Sequence, residues 1–177
     1  MDPAFPFTEG SVAFRGYNVW YRIVGEREEP GKLPLLCLHG GPGVPHDYLE
    51  PLEAMAATGR RVIFYDQLGC GNSDHPHDPS SWTVDLFVEE VGVVRRALGL
   101  ERLHLLGQSW GGMLAMQYAL TQPAGLVSLI VASSPASMRQ WVAEANRLRM
   151  ELPPEGKRLS CSMSRLARPT LQRIRRR

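Results

Sequence analysis

The sequence predicts an α/β fold in which helices flank a mostly parallel sheet. From residue 33 onward, apolar runs of strand length alternate with amphipathic runs of helix length, and this alternation is typical of a parallel sheet wrapped by helices. Three of the predicted strands lead into glycine-rich segments. Because such segments meet at the carboxyl edge of a parallel sheet, where reactive groups collect, we expect any catalytic site at that edge.

The first part of the chain predicts a hairpin and then a buried strand. Two β-branched and aromatic runs, Val12 to Arg15 and Val19 to Val24, are separated by Gly16-Tyr17-Asn18, which is a hairpin signal. The apolar run from Leu33 to Leu38 is typical of a parallel strand covered on both faces. It leads directly into the first glycine-rich motif, His39-Gly40-Gly41-Pro42-Gly43.

The middle of the chain continues the alternation. An apolar stripe from Asp47 to Ala57 predicts a short helix. Val62 to Tyr65 predicts the next buried strand, and the second glycine-rich motif follows it, Asp66-Gln67-Leu68-Gly69-Cys70-Gly71-Asn72-Ser73. Thr83 is a residue type that caps helices, and the apolar positions after it predict a helix through about Leu98.

The third glycine-rich motif predicts a nucleophile at a sharp bend. Leu103 to Leu106 predict a strand, Gly107-Gln108-Ser109-Trp110-Gly111 a turn, and the run from Met113 a helix. A serine at such a bend takes a strained backbone conformation that exposes its hydroxyl, and the neighbouring glycines remove Cβ atoms that would collide. The pattern is short enough to occur by chance, so an ordinary glycine-rich turn is the alternative. The flanking strand and helix patterns favour the nucleophile.

Composition excludes several classes of function. The 177 residues carry a net charge of +2, and no apolar run approaches the roughly 18 residues of a membrane span. The N-terminus lacks the features of a signal peptide. Three cysteines at unrelated spacings argue against a disulfide framework and a zinc site, so we expect a cytoplasmic protein.

The alternation of strands and helices stops after the strand predicted at Leu126 to Ala132, and a single helix is predicted from Met138 to Leu152.

Residues 157–177 hold eight basic and no acidic residues, whereas all 18 acidic residues lie before them. This basic tail has neither interleaved aromatic residues nor a clear amphipathic repeat. We therefore expect neither a nucleic-acid nor a membrane partner.

Together the three motifs, in this order and spacing, resemble those of the proline iminopeptidase family of the α/β-hydrolase fold. The segment from Ser134-Pro135 to Arg149 is similar to the start of the helical cap of that family. The resemblance divides the chain into a partial hydrolase core at 1–133, the start of a cap at 134–156 and a disordered or aberrant tail at 157–177. It implies the first part of the hydrolase sheet, with the late strands and most of the cap missing.

The residues and the resemblance together assign the chemistry. Ser109 is the expected nucleophile of an acyl-enzyme and requires an adjacent base. The backbone N–H of Trp110, which follows the nucleophile, is one expected oxyanion donor, and the resemblance points to the N–H of Gly41 as the other. Further substrate-binding candidates are Gly40, Gly43, Cys70, Trp141 and Glu144. The implied substrate is a small peptide or amide with an N-terminal proline or similar residue, with no metal and no cofactor.

A base for Ser109 is missing from the sequence. The triad of this fold follows the order Ser, acid, His, but neither Asp nor His occurs after Ser109. The chain thus resembles about the first three-fifths of such an enzyme, and we expect it to be almost inactive alone. The strand at Leu126 to Ala132 would form an unpaired apolar edge, which predicts self-association.

Other functions stay open on the sequence. One is a non-catalytic fragment or binding module that pairs with a separate C-terminal half. An esterase or amino-acid amidase is another, because a fold does not set its substrate. Asp66 and Gln67 have catalytic residue types, but we favour a structural role in which the carboxylate holds the turn from Gly69 to Gly71. Cys70 and Trp141 are equally explained by packing.

Overall fold

A mixed sheet lies at the centre of the fold. The computed structural model describes residues 5–78 and 82–156. In chain order, the described elements are β1 (Phe7–Phe14), β2 (Tyr17–Val24), β3 (Leu35–Leu38), a 3₁₀ helix (His46–Thr58), β4 (Val62–Tyr65), α1 (Val84–Ala97), β5 (Leu103–Gln108), α2 (Trp110–Leu120), β6 (Leu126–Ala132) and α3 (Met138–Glu151). The predicted α/β class is confirmed.

The described residues form a six-stranded sheet in the order β1-β2-β4-β3-β5-β6. β2 pairs antiparallel with its two neighbours, β1 and β4. The other neighbouring pairs, from β4 through β3 and β5 to β6, are parallel. Leu38 at the end of β3 is opposite Gly107 in β5, and Gln108 is opposite Ala132 in β6. The register therefore brings the segment after β3 level with the bend after β5, as the parallel arrangement requires.

The predicted hairpin is present but longer than expected. β1 starts at Phe7 rather than Val12, because pairing continues back to Phe7 opposite Val24. The turn consists of Arg15 and Gly16, whose φ angles are 49° and 86°. Two positive φ angles match the right-handed twist of the paired strands.

The short helix predicted from Asp47 to Ala57 is present as a 3₁₀ helix over His46–Thr58. Pro51 lies inside it and donates no backbone hydrogen bond. Leu49 and Leu52 are three residues apart and contact the same apolar cluster, which suits a helix with three residues per turn. The strand predicted from Leu33 starts at Leu35, where pairing with Val62 begins.

Two apolar clusters cover opposite faces of the sheet, because alternate strand residues point to opposite sides. Leu36, Leu38 and Ile63 belong to the cluster that α1 and α2 cover. Leu35, Cys37 and Phe64 belong to the cluster beneath the 3₁₀ helix.

Thr83 caps α1 as predicted, since its Oγ1 accepts a hydrogen bond from the Leu86 N–H at 3.1 Å.

β6 ends the sheet in the described part of the chain. Its apolar residues Val127, Ile130 and Val131 are exposed. An apolar strand at a sheet edge is a template for pairing with another chain. The sequence prediction of an open edge at this strand agrees with this placement.

The chain divides into two compact units between Ser134 and Pro135. In the second unit, the Ser137 side chain caps α3 by accepting from the Gln140 N–H, and Arg147 pairs with Glu144 and Glu151 on the exposed helix surface. The tail predicted at 157–177 lies outside the described residues. Among those that are described, no helix is both long and apolar enough to cross a membrane.

Candidate active site

Ser109 occupies a strained bend between β5 and α2. Its φ and ψ angles are 54° and −119°, a conformation that costs energy in any residue with a Cβ. Its backbone is held on both sides, since its N–H donates to the Ala132 carbonyl at 2.9 Å and its carbonyl accepts from Gly112 at 3.0 Å. The bend predicted from the sequence is therefore present, with the serine immediately before the helix.

The glycines around Ser109 are required by close backbone contacts. A Cβ on Gly107 would collide with the Gly111 carbonyl, and one on Gly111 would collide with the carbonyl of Leu38. Gly112 is limited by the Ser134 hydroxyl. Only glycine allows this approach of β5, α2 and the end of β3.

A cavity of about 350 Å³ opens at Ser109. The residues that line it are Gly40, Gly41, Val44, Tyr48, Gln108 and Ser109. A Cβ on Gly40 would lie 3.1 Å from the Cβ of Ser109, so the segment after β3 contacts the serine directly. The Gly41-Pro42 peptide bond is cis. The structure thus brings the first and third glycine-rich motifs together.

The two predicted oxyanion donors belong to the segments on either side of this cavity. Within the described residues, neither Gly41 nor Trp110 donates its backbone N–H to a hydrogen bond. Trp110 is the first residue of α2, where N–H groups have no partner within the helix and carry partial positive charge. Both groups are therefore available to an anionic oxygen, and their catalytic roles stay predictions.

Tyr48 joins these two segments through one hydroxyl group. Its oxygen accepts from the Gly40 N–H at 2.6 Å and its hydroxyl donates to Gln108 Oε1 at 2.7 Å. Partial burial raises the pKa of the Tyr48 phenol above its ordinary value, so the hydroxyl keeps its proton at neutral pH. Tyr48 was not identified from the sequence, in which its only distinction is to be a polar aromatic residue within ten positions of the glycine motif.

Gln67 makes a second connection, on the buried side of Ser109. Its side-chain amide donates to the His39 carbonyl at 3.0 Å and accepts from the Trp110 indole N–H at 2.8 Å. Its backbone N–H donates to His39 Nε2 at 2.8 Å, which leaves the ring proton on Nδ1, 2.9 Å from the Gly40 carbonyl. Burial lowers the pKa of His39 below its ordinary value. His39 is thus a neutral structural residue whose two ring nitrogens are both engaged.

Asp66 has the structural role that the sequence analysis favoured. Its Oδ1 accepts from the backbone N–H and Nδ1 of His46, and its Oδ2 from the backbone and side chain of Asn72. Burial would raise the pKa of this carboxyl, but the hydrogen bonds from His46 and Asn72 outweigh burial and lower the pKa. A Cβ on Gly71 would collide with the same carboxylate, so Asp66 fixes the turn.

Glu90 is a buried acid that was not identified as a candidate from the sequence. It lies on α1, is fully buried and accepts from the Leu68 N–H at 2.7 Å through Oε1. Burial raises the pKa of Glu90 to about 8, although the hydrogen bond from Leu68 opposes the rise. Glu90 therefore supports the segment after β4 from beneath.

Gly43 and Cys70 do not line the cavity at Ser109. Gly43 has a φ of 96° with open space around it, and Cys70 is buried with its pKa raised to about 11, chiefly by burial. Trp141 and Glu144 lie in the second unit, where Glu144 pairs with Arg147 at 2.7 Å. Substrate contact by these four residues stays a prediction.

Metal-ligand residue types meet once in the described residues. His46, Asp47 and Glu50 place ligand atoms within 4.8 Å of one another. The Nδ1 of His46 is already 2.9 Å from Asp66, however, and both acidic residues are exposed. Within the same part of the chain, the hydrogen bonds of the histidine rings do not involve the Ser109 side chain.

The fold and the bend after β5 define a class of protein. The chain belongs to the alpha/beta hydrolase fold family, whose model matches residues 34–158. The sequence is 49% identical over 141 residues to the proline iminopeptidase of Clostridioides difficile (strain 630), and 49% identical over 150 residues to that of Lactobacillus helveticus (strain DPC 4571). These matches cover 79% and 83% of this chain, but only 48% and 50% of the relatives.

Two solved structures of similar sequence also superpose on this chain. The crystal structure of a proline iminopeptidase from Mycobacterium smegmatis superposes with a TM-score of 0.78 at 50% identity, covering 82% of this chain and 50% of that one. VinJ superposes with a TM-score of 0.83 at 42% identity, covering 90% and 55%. The resemblance predicted from the sequence is confirmed. The chain spans about half the length of the curated relatives that it matches.

Proposed function

We propose that this chain carries the nucleophile and oxyanion site of a serine hydrolase of the proline iminopeptidase type. Such an enzyme would release an N-terminal proline or a similar residue from peptides or amides through an acyl-enzyme at Ser109. The observation that supports this proposal most directly is the φ of 54° at Ser109 beside the cavity formed with Gly40 and Gly41. The similarity to proline iminopeptidases supports the choice of substrate.

In the proposed reaction, the Ser109 hydroxyl attacks the carbonyl carbon of the N-terminal residue. Negative charge then develops on the carbonyl oxygen, where the N–H groups of Gly41 and Trp110 would stabilise it; removing one such donor typically costs about a hundredfold or more in rate. A base must take the hydroxyl proton and return it to the leaving amine. The sequence holds no His or Asp after Ser109, so this chain alone should be nearly inactive.

Labelling with a fluorophosphonate probe tests the nucleophile. We expect slow labelling of the wild-type chain, faster labelling when the part of the Clostridioides difficile relative outside the match is added, and none in Ser109→Ala. Ser11→Ala, at an exposed position of β1, is the matched control. Labelling that persists in Ser109→Ala would contradict the proposal.

Hydrolysis assays then distinguish the substrates. Under the same complementation, a prolyl anilide should be cleaved faster than an anilide of a bulky acyl group and faster than a simple ester. Preference for the ester would favour an esterase, and preference for other aminoacyl amides an amidase of the same fold. The absence of a base in the sequence favours a second candidate, a non-catalytic binding module, which would give no hydrolysis under any of these conditions.

We also propose that the chain self-associates along β6. Support comes from the exposed side chains of Val127, Ile130 and Val131 on a strand with an unpaired edge among the described residues. Ile130→Lys should shift sedimentation velocity profiles toward the monomer, because a charge on an edge strand opposes pairing. Val84→Lys, at an exposed position of α1, should not. A wild-type chain that sediments as a monodisperse monomer would contradict this proposal.

We infer a cytoplasmic location for the chain. Cys37 and Cys70 are free and buried, which suits a reducing compartment. Cell fractionation with an antibody tests this inference, and recovery from a secreted or periplasmic fraction would contradict it.

A further inference from the structure

We propose that Tyr48 is a positioning residue that holds the Gly41 N–H in register with Ser109. This inference rests on the proposed function, in which Gly41 and Trp110 stabilise the oxyanion. It concerns a residue that contacts neither of those donors. Tyr48 acts through the backbone of Gly40 and the side chain of Gln108, which immediately precede Gly41 and Ser109 in the sequence.

The segment after β3 has few other means of keeping its position. Gly41 and Gly43 have φ angles of 116° and 96°, and residues 41–44 are all exposed. Glycines retain more backbone freedom than other residues, so a segment built from them is easily displaced. A displacement of about 1 Å at a catalytic group costs on the order of a hundredfold in rate. An oxyanion donor in this segment therefore needs attachment to the rest of the site.

Two side chains supply that attachment on opposite sides of Ser109. Tyr48 connects Gly40 to Gln108, the residue before the serine, at 2.6 and 2.7 Å. Gln67 connects His39 to Trp110, the residue after the serine, at 3.0 and 2.8 Å. Together they complete a circuit of hydrogen bonds around the nucleophile, with both proposed donors in segments that the circuit joins.

The two connections differ in how much of the fold depends on them. Gln67 is 2% exposed, whereas Tyr48 is 42% exposed and belongs to neither apolar cluster. Removing the Gln67 side chain would leave buried polar groups without partners and destabilise the fold. Removing only the Tyr48 hydroxyl leaves its ring in place and takes one partner from the Gly40 N–H and from Gln108 Oε1, which disturbs the fold less than loss of the whole Gln67 side chain.

The test compares Tyr48→Phe with Tyr17→Phe. Tyr17 is 38% exposed on β2, and its hydroxyl forms no hydrogen bond with another described residue, so it controls for loss of a surface phenol. The full chain is labelled with ¹⁵N-glycine and ¹⁵N-tryptophan, and backbone relaxation is measured at Gly41 and Trp110. We expect the Gly41 order parameter to fall from about 0.85 toward about 0.6 in Tyr48→Phe and to stay unchanged in Tyr17→Phe.

Kinetics of the complemented protein with a prolyl anilide provide the second measurement. Tyr48→Phe should lower kcat about tenfold or more while KM changes less than about twofold, because a misplaced oxyanion donor affects the transition state more than the bound substrate. A purely structural role would lower the melting temperature and the active fraction, and the kcat per active site, obtained by titrating the active sites with the fluorophosphonate probe, would then be unchanged.

Each outcome decides the proposal. Loss of order at Gly41 together with the fall in kcat supports it, and a change confined to Gly40 or an unchanged kcat overturns it. If no variant hydrolyses any substrate, the proposed function fails and the relaxation data decide alone. Mobility gained at Gly41 in Tyr48→Phe would then support positioning, and unchanged relaxation at Gly41 would overturn it.

Discussion

Two glycine-rich segments at the same edge of the sheet look alike in the sequence and differ in the structure. The β3 loop, residues 39–43, contributes Gly40 and Gly41 to the lining of the cavity at Ser109. The β4 loop, residues 66–73, is held by its own side chains: Asp66 accepts from His46 and Asn72, and Ser73 Oγ accepts from the Trp20 N–H at 2.8 Å. The first loop thus borders an open cavity, whereas polar side chains fix the second to the rest of the fold.

The largest effect that sharpens this comparison is expected at Asp66. Asp66→Ala removes a buried acceptor and leaves the N–H groups of His46 and Asn72 without partners, so it should lower the free energy of unfolding by about 3–5 kcal/mol. Asp47→Ala, at a side chain that is 71% exposed, should change it by less than about 0.5 kcal/mol. Urea denaturation measures both. A loss below about 1 kcal/mol in Asp66→Ala would show that the β4 loop does not depend on its carboxylate.

The next effect is pH dependent and concerns the acid beneath the β4 loop. The pKa of Glu90 is raised to about 8 in the folded chain, so the folded state binds a proton that the unfolded state releases above its pKa of about 4.5. The resulting stability is fully present below about pH 4.5 and is lost as pH rises to about 8.

Glu90→Gln should remove this dependence and raise the free energy of unfolding at pH 8 relative to wild type, by on the order of 3 kcal/mol. Denaturation of both proteins between pH 5 and 8 measures the difference and cancels the opposite contribution of His39, whose lowered pKa costs stability as pH falls below about 6.5. Parallel pH profiles in the two proteins would be incompatible with a buried, protonated Glu90.

The smallest effects come from the same substitution made in each loop. Gly71 and Gly43 both have positive φ angles, 52° and 96°, but only the Cβ added at Gly71 meets a neighbour, the Asp66 carboxylate. Gly71→Ala should therefore cost about 2 kcal/mol or more, and Gly43→Ala about 1 kcal/mol from backbone strain alone. Thermal unfolding of the two variants gives the comparison directly. Equal losses of stability would mean that a Cβ at Gly71 meets no more steric resistance than a Cβ at Gly43.

Much of the fold could be predicted from the sequence because its signals are local. The strands at Val62–Tyr65 and Leu126–Ala132 were located at their observed bounds, and Thr83 was identified as a helix cap, since continuous apolar runs and capping side chains act within a few residues. The bend at Ser109 was predicted for the same reason. The 3₁₀ form of His46–Thr58 was not, because Leu49 and Leu52 suit either type of helix.

The connections within the site could not be predicted, because they join residues distant in sequence. Tyr48 and Gln108 are 60 positions apart, and Gln67 and Trp110 are 43 apart. Glu90 is a charged residue type that is rarely buried, yet it is buried and accepts from the Leu68 N–H. Each of these contacts depends on the sheet order, which places β3 between β4 and β5. No local pattern contains that information.

The position of β5 gives the sheet order a further consequence. β5 ends at Gln108, the residue before Ser109, and lies one strand in from β6, so β6 alone separates it from a polypeptide that pairs with the open edge of the sheet. Under the proposed complementation, the specific activity of the two mixed polypeptides should accordingly rise with their total concentration, as it does for enzymes whose working form exists only after two polypeptides have met.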